Sequence, residues 1–392
     1  VGHAVACLLD LVIERDPEIP QVEVFHLRTG RFRARQGDVN ETAIQRFLTR
    51  ASGNSEDAIG HLVVFHRGLV KDRGGTLGYR SMKCSARVRS LRGSATLAVT
   101  ARAKALRAEG RDVIGFGAGE PDFDTPDFVK QAASESLAAG HTKYAPTPGS
   151  PALRAAIADR MRTHNGIDCG PEHVVVTVGA KHAAFEVMQC LVDPGDEVVV
   201  VTPAWLSYRP MIELAGGVVV ECPATIRDGF KIEPAALEAA MSDRTVAVIL
   251  NSPCNPTGVC YTPEELAGLA RVIASHPTAT LVSDEIYEDL IYPEMASGVG
   301  PFSPGSLPEL RERTVTLNGL SKSMAMTGWR IGWAVAPGDD GAVAKAMTRL
   351  QSQMTSGIAT FLMPAAAKAV EHQSETSGAM RSVFVARARL VS

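Results

Sequence analysis

Apolar positions recur with two periods along most of the chain, and the periods predict its elements. Val174 to Val178 is dense in β-branched residues and reads as a strand. Gly179-Ala180-Lys181 then turns the chain, and Ala183 to Val192 reads as a helix. Glu197 to Val201, Val246 to Leu250 and Val315 to Leu317 are further strand-length runs, and Leu281 to Tyr287 passes from strand into loop or helix. Leu153 to His164 has the spacing of a core-facing helix. Ala95 to Ala108 predicts an Ala-rich helix with Gly110 as its C-cap. Val113 to Phe116 predicts a short strand, and Thr125-Pro126 a helix start with Thr125 as N-cap. Val343 to Leu350, Phe361 to Ala369 and Phe384 to Leu390 read as helical. Strands alternating with helices predict an α/β sheet covered on both faces.

Residues 1–81 are patterned poorly. Ala43 to Leu48 reads as one or two helical turns and His61 to Phe65 as a short strand. The stretch has no Met, and Lys71 is its only Lys, against many Arg that include Arg28, Arg31, Arg33 and Arg35. The expectation is that translation starts at Met82 and that 1–81 is upstream sequence read in frame; a small accessory domain is the alternative.

Composition narrows the classes. A chain of 392 residues can bury a large core and holds more than one domain. The formal net charge of -3 gives no reason to expect nucleic acid or an anionic membrane as partner. Seven Cys are scattered without a CxxC pair, which favours reduced thiols in the cytoplasm over disulfides or zinc. Apolar runs such as Val198 to Val201 are too short to span a bilayer. Val1 to Ile13 is apolar but carries Asp10 and lacks a basic leader, so it does not read as a signal peptide.

The candidate chemistry centres on Asn318 to Gly332. Lys322 sits among small and apolar residues, Leu320, Met324, Met326 and Trp329, and Arg330 follows eight positions later. An apolar setting lowers a lysine pKa and frees the amine as a nucleophile. The guanidinium fork of Arg330 suits a phosphate. Together they point to pyridoxal phosphate held on Lys322 as a Schiff base. The strand, the Gly179-Ala180-Lys181 turn and the helix after it form a second phosphate contact. Trp205, just past a strand end, is placed to stack on a flat ring, with core filling as the alternative.

This stretch resembles the lysine signature of class I aminotransferases, the fold-type I pyridoxal-phosphate enzymes, most densely in the bacterial aspartate and aspartate/prephenate branch. The resemblance runs from Met82 to the last residue. It implies Lys322 as the Schiff-base and proton-transferring lysine and Arg330 as a phosphate ligand. In Asn251-Ser252-Pro253-Cys254-Asn255-Pro256-Thr257-Gly258, similar to the family's Asn-Pro-Thr-Gly turn, Asn255 would donate to the cofactor's phenolic oxygen. Cys254 stands where the family often has Asn. Asp284 would face the pyridine nitrogen, and Tyr287 would also donate to the phenolic oxygen. Gly119, in Gly117-Ala118-Gly119-Glu120-Pro121-Asp122-Phe123, would contact the substrate carboxylate, with Trp205 and Asn255 also at the substrate. Tyr144 would reach the cofactor phosphate of a neighbouring subunit, which implies a homodimer; a Tyr packed in its own loop is the rival reading.

The resemblance further implies a large domain over 126–365 with a mixed, mostly parallel sheet. Residues 82–125 would be an arm and the beginning of a small domain, and 366–392 the start of that domain's C-terminal part, incomplete at Ser392. The family's Arg for the substrate α-carboxylate would lie beyond it, and aspartate turnover is expected to need it. The implied reaction is amino acid:2-oxo acid transamination, aspartate with 2-oxoglutarate, by ping-pong kinetics. Rivals are an aromatic amino acid, prephenate or kynurenine transaminase, with Arg92 as a specificity candidate, and a lyase of the same fold. A further rival is a transcription regulator with an aminotransferase-like sensor, but 1–81 shows no helix-turn-helix pattern.

Overall fold

The computed structural model describes residues 12–15, 22–27, 30–35, 69–71, 77–79, 83–91, 93, 95–115, 117, 119–292 and 302–391. The expected elements at Ala43 to Leu48 and His61 to Phe65, and Arg92, lie outside them. Two compact units divide the chain, Val1–Ser90 and Leu91–Ser392.

In the first unit, β1 (Val12–Arg15), β2 (Val22–Leu27) and β3 (Gly30–Arg35) form an antiparallel sheet in that order. Arg31, Arg33 and Arg35 therefore lie on a strand. β4 (Leu69–Lys71) pairs antiparallel with β5 (Leu77–Tyr79).

The second unit is built on seven strands: β6 (Val174–Thr177), β7 (Glu197–Thr202), β8 (Val218–Pro223), β9 (Thr245–Asn251), β10 (Thr280–Asp284), β11 (Thr314–Gly319) and β12 (Gly332–Val335). Their order is β6-β12-β11-β10-β9-β7-β8. Neighbours from β8 to β11 run parallel, and only β12 is inverted against β11 and β6. The sheet is thus mixed and mostly parallel, as expected.

Alternation along the strands sends side chains to two cores. Val174, Val176, Trp333 and Val335 face the helices Asp127–Ala138, Pro151–Thr163 and Met363–Glu371. Val175 and Ala334 point the other way, onto Ala180–Leu191, Tyr208–Ala215 and Gly338–Ser352. Both faces are therefore covered, which explains why β6, β11 and β12 are buried at every position. Trp333 is wholly buried, and its truncation to Ala would cost about 3–5 kcal/mol.

Two local expectations are corrected. Val113 to Gly115 form no strand, and Phe116 lies outside the described residues. Thr125 does not cap the next helix: Pro126 is the N-cap, and the Thr125 hydroxyl donates instead to Ala325 O at 2.9 Å. The helix after β6 starts at Ala180, three residues earlier than its apolar spacing predicts. Among the described residues no helix is long and apolar enough to cross a membrane.

Candidate active site

Strands β6, β7, β9, β10 and β11 all point one way, so the loops after them gather at one edge of the sheet. Ligands in open α/β sheets bind at this edge. The inversion of β12 matters here. Its first residue, Gly332, lies at the same edge as the last residue of β11, Gly319. Arg330, two residues before β12, is thereby returned to the edge that carries Lys322.

Lys322 stands in the short helix Leu320–Ser323 that follows β11. Leu320, Met324, Met326 and Ile331 are fully buried around it. Its ammonium donates to Gly119 O at 2.5 Å and lies 6.0 Å from the centre of the Tyr287 ring. Burial holds its pKa below the ordinary lysine value; Glu120 opposes that shift and the nearby Arg330 charge adds to it. The loop carrying Lys322 is pinned from outside. Trp329 Nε1 donates to Thr125 Oγ1 at 3.0 Å, and Thr327 Oγ1 donates to Glu120.

Asp284, the last residue of β10, is 5% exposed. Its Oδ2 accepts from the Tyr208 hydroxyl at 2.6 Å and its Oδ1 from the Ile286 N–H at 3.3 Å. Burial raises its pKa, while both hydrogen bonds pull it back down. Asn255 Nδ2 donates to the Tyr287 hydroxyl at 3.3 Å, so these two side chains share one spot. Asn251 fixes both loops: its Oδ1 accepts from the Asn255 N–H at 2.7 Å, and its Nδ2 donates to Asp284 O at 2.9 Å. Trp205 packs edge-on to Tyr208, 5.2 Å between centroids, and Lys181 Nζ lies 5.2 Å over the indole.

Arg330 takes the left-handed conformation at φ 57°, rare for a residue with a side chain. Its Nη1 donates to Thr327 O at 2.8 Å. Gly179, at φ +84°, caps the helix Ala180–Leu191, and a Cβ there would come within 2.6 Å of Arg330 Nη2. Gly332 has a similar constraint, since a Cβ would lie 2.2 Å from Ala180 N. The two glycines let a guanidinium and a helix N-terminus approach one another. The first N–H groups of that helix have no acceptor within it. Guanidinium and helix N-terminal N–H groups are donor types that can hold a dianion.

The structure therefore joins Lys322, Gly119, Tyr287, Asn255 and Asp284 into one set, and Gly179, Ala180 and Arg330 into a second beside it. Lys181 and Trp205 link to Asp284 through Tyr208. Tyr144 is left out: it is 99% exposed on its own chain.

A profile described as "Aminotransferase class I and II" matches residues 111–391. The chain belongs to the class I and II aminotransferases. It is 47% identical over 311 residues to an aspartate aminotransferase of Geobacillus stearothermophilus, covering 79% of this chain and 77% of that one. It is 47% identical to the aspartate/prephenate aminotransferase of Thermus thermophilus, over 74% and 72% of the two chains. The solved aspartate aminotransferase from Thermus thermophilus with maleate superposes with a TM-score of 0.72 at 46% identity, over 77% and 76% of the chains.

Several residues of this candidate site escape a reading of the sequence. Tyr208 holds Asp284 from 76 positions away, Asn251 bridges two loops, and Thr125 holds the lysine loop from 200 positions away. A second aromatic three residues after Trp205 was the available signal for Tyr208. Nothing local marks Thr125 except an expected cap, a role it does not fill.

Proposed function

We propose that this aminotransferase uses pyridoxal phosphate and transfers the amino group of aspartate to 2-oxoglutarate. The observation that carries the reading is the convergence, on one sheet edge, of a half-buried amine, a buried carboxyl, a paired Asn–Tyr donor set and a dianion cradle. The fit to the cofactor rests on the Gly179–Arg330 approach, which leaves no room for a Cβ where a phosphate would be held. Arg330 and the Ala180–Lys181 N–H groups would hold the phosphate, Asp284 the ring nitrogen, and Asn255 and Tyr287 the phenolic oxygen. Trp205 would stack on the ring. Pyridoxal phosphate supplies a carbonyl for an amine and a ring that accepts electrons.

The chain's own groups do the rest. The lowered pKa of Lys322 raises its share of free amine near neutral pH. Its Nζ then takes and returns the substrate α-proton as base and acid. Asp284, whose anion the Tyr208 hydroxyl and the Ile286 N–H favour against burial, would keep a proton on the ring nitrogen. Gly119, whose carbonyl already meets Lys322, borders the substrate. The names of the close relatives support aspartate as donor.

We place the protein in the cytoplasm as a homodimer in which Tyr144 reaches the neighbouring subunit's site. Its exposure and the six free described cysteines support that setting. In the test, the natural protein loaded with pyridoxal phosphate meets aspartate alone. One equivalent of oxaloacetate per site, then glutamate on adding 2-oxoglutarate, is expected. Ammonia release would indicate a lyase, and a response only to phenylalanine or kynurenine would replace aspartate as donor.

A further inference from the structure

We infer that Arg160 is a positioning residue for this site: it clamps the back of the segment Glu285–Asp289 and so holds Asp284 and Tyr287 in place. The inference rests on the assignment of those two residues to the cofactor.

The segment has two sides. Asp284 and Tyr287 turn toward Tyr208 and Asn255. Glu285, Glu288 and Asp289 turn the other way and are only 3–5% exposed. Arg160, in the helix Pro151–Thr163, meets them there at 7% exposure. Its Nη2 donates to Glu288 Oε1 at 3.1 Å and to Asp289 Oδ1 and Oδ2 at 3.0 and 2.8 Å. Its Nη1 donates to Ser374 Oγ at 2.9 Å, tying in the helix Gln373–Val391. Other contacts complete the grip. Gln373 Nε2 donates to Asp289 Oδ2 at 2.8 Å and Arg381 Nη1 to Asp289 O at 3.2 Å. Asn165 Nδ2 bridges Glu285 Oε2 at 3.2 Å and Glu288 Oε2 at 2.5 Å. Ser283 and Ser303 donate to Glu285 Oε1.

Charge singles out Arg160 within this group. Three carboxyl groups are buried together, and burial pushes Glu285 up to about 8 and Glu288 up to about 7. His164 Nε2 lies 3.8 Å from Asp289 Oδ1, but burial lowers its pKa, so it adds no lasting positive charge near neutrality. Arg381 meets a backbone oxygen, not a carboxylate. His164, Glu288 and Asp289 have the spacing of a metal site, yet the Arg160 guanidinium already supplies the cation to both carboxyls. A guanidinium plane with Nη2 on two consecutive acidic residues and Nη1 on Ser374 fixes orientation as well as distance. Beyond Asp284 the segment leaves the sheet. Glu285 N still donates to Leu317 O at 2.9 Å, and the backbone bonds after it are short-range, from Glu288 N to Glu285 O and Leu290 N to Tyr287 O. The clamp is thus a long-range hold on a turn that carries one reactive contact and adjoins another. A shift of about 1 Å at such groups can cost on the order of a hundredfold in rate.

Two readouts separate positioning from bulk stability in the natural protein. The first is amide hydrogen exchange of the 284–291 peptide without cofactor. The second is the pH midpoint of the bound cofactor's absorbance change. Arg160→Met should speed exchange of that peptide by about ten- to a hundredfold, the loss of one or two charge-assisted hydrogen bonds. Peptides of β9 and β11 should keep parental protection. The absorbance midpoint should move in the direction seen for Tyr287→Phe, with kcat falling more than KM rises. Arg160→Lys keeps the charge without the fork and should fall between. If Arg160→Met does not fold, Arg160→Lys decides: faster exchange confined to 284–291 supports the clamp, and parental exchange overturns it. Parental exchange and midpoint in both variants also overturn it. Should Tyr287→Phe leave the absorbance untouched, the assignment of Tyr287 falls, while the exchange rates still decide the clamp.

Discussion

Two buried carboxyls in the second unit have opposite designs. Asp284, at the end of β10, accepts two hydrogen bonds and opens toward the lysine edge of the sheet. Glu186, in the middle of the helix Ala180–Leu191, is 0% exposed, and among the described residues neither of its oxygens accepts a hydrogen bond. Burial raises both pKa values, but only Asp284 has donors that oppose it. His182 Nε2 lies 3.4 Å from Glu186 Oε1, one turn earlier, yet burial lowers the histidine and pushes the glutamate up to about 8. Burial thus favours the neutral form of both groups. The difference shows that depth alone does not set a carboxyl's charge. Donors that favour the anion oppose burial at Asp284, and among the described residues none does so at Glu186.

Asp284→Asn should break the active half of the comparison. It keeps the shape and removes the charge proposed to hold a proton on the ring nitrogen. A fall on the order of a hundredfold or more in kcat is expected, with Asp284→Glu losing much less. Steady-state kinetics on both variants checks this, and parental activity in Asp284→Asn would remove the residue from the site.

A smaller effect is expected at Glu186, in stability. Its folded-state pKa of about 8 lies above the ordinary value of 4.5, so the folded chain keeps a proton that the unfolded chain releases. That stabilisation is complete below pH 4.5, declines as pH rises and is gone above about 8. Glu186→Gln removes the dependence. The variant should match the parent near pH 4.5 and exceed it near pH 9, by on the order of a few kcal/mol. Denaturant melts at the two pH values measure this. Equal pH slopes in parent and variant would show that Glu186 ionises freely in the fold.

The candidate site was legible where its residues lie in one contiguous run. Lys322 and Arg330 share a loop, and the small residues that let the backbone close around them are local facts. Strands of β-branched residues, such as β6 and β9, were legible for the same reason. β12 was not read. It is four residues long and continues the lysine motif, and its inversion depends on finding a slot between β6 and β11. β8 was also missed, and as an edge strand it is only partly buried. Thr125 was read as a cap from its neighbour Pro126, but a hydroxyl bonds whatever the fold brings to it. Tyr208 and Arg160 have roles created by pairings 76 and 128 positions apart, and no local pattern encodes those.

The central claim is that the amine at the end of β11 carries the cofactor. Borohydride reduction of the natural protein loaded with pyridoxal phosphate, followed by peptide mapping, tests it most directly. The account predicts one pyridoxyl group per chain, on Lys322, and none in Lys322→Ala. A pyridoxyl group on another lysine of the parent, such as Lys181 beside Trp205, would contradict it.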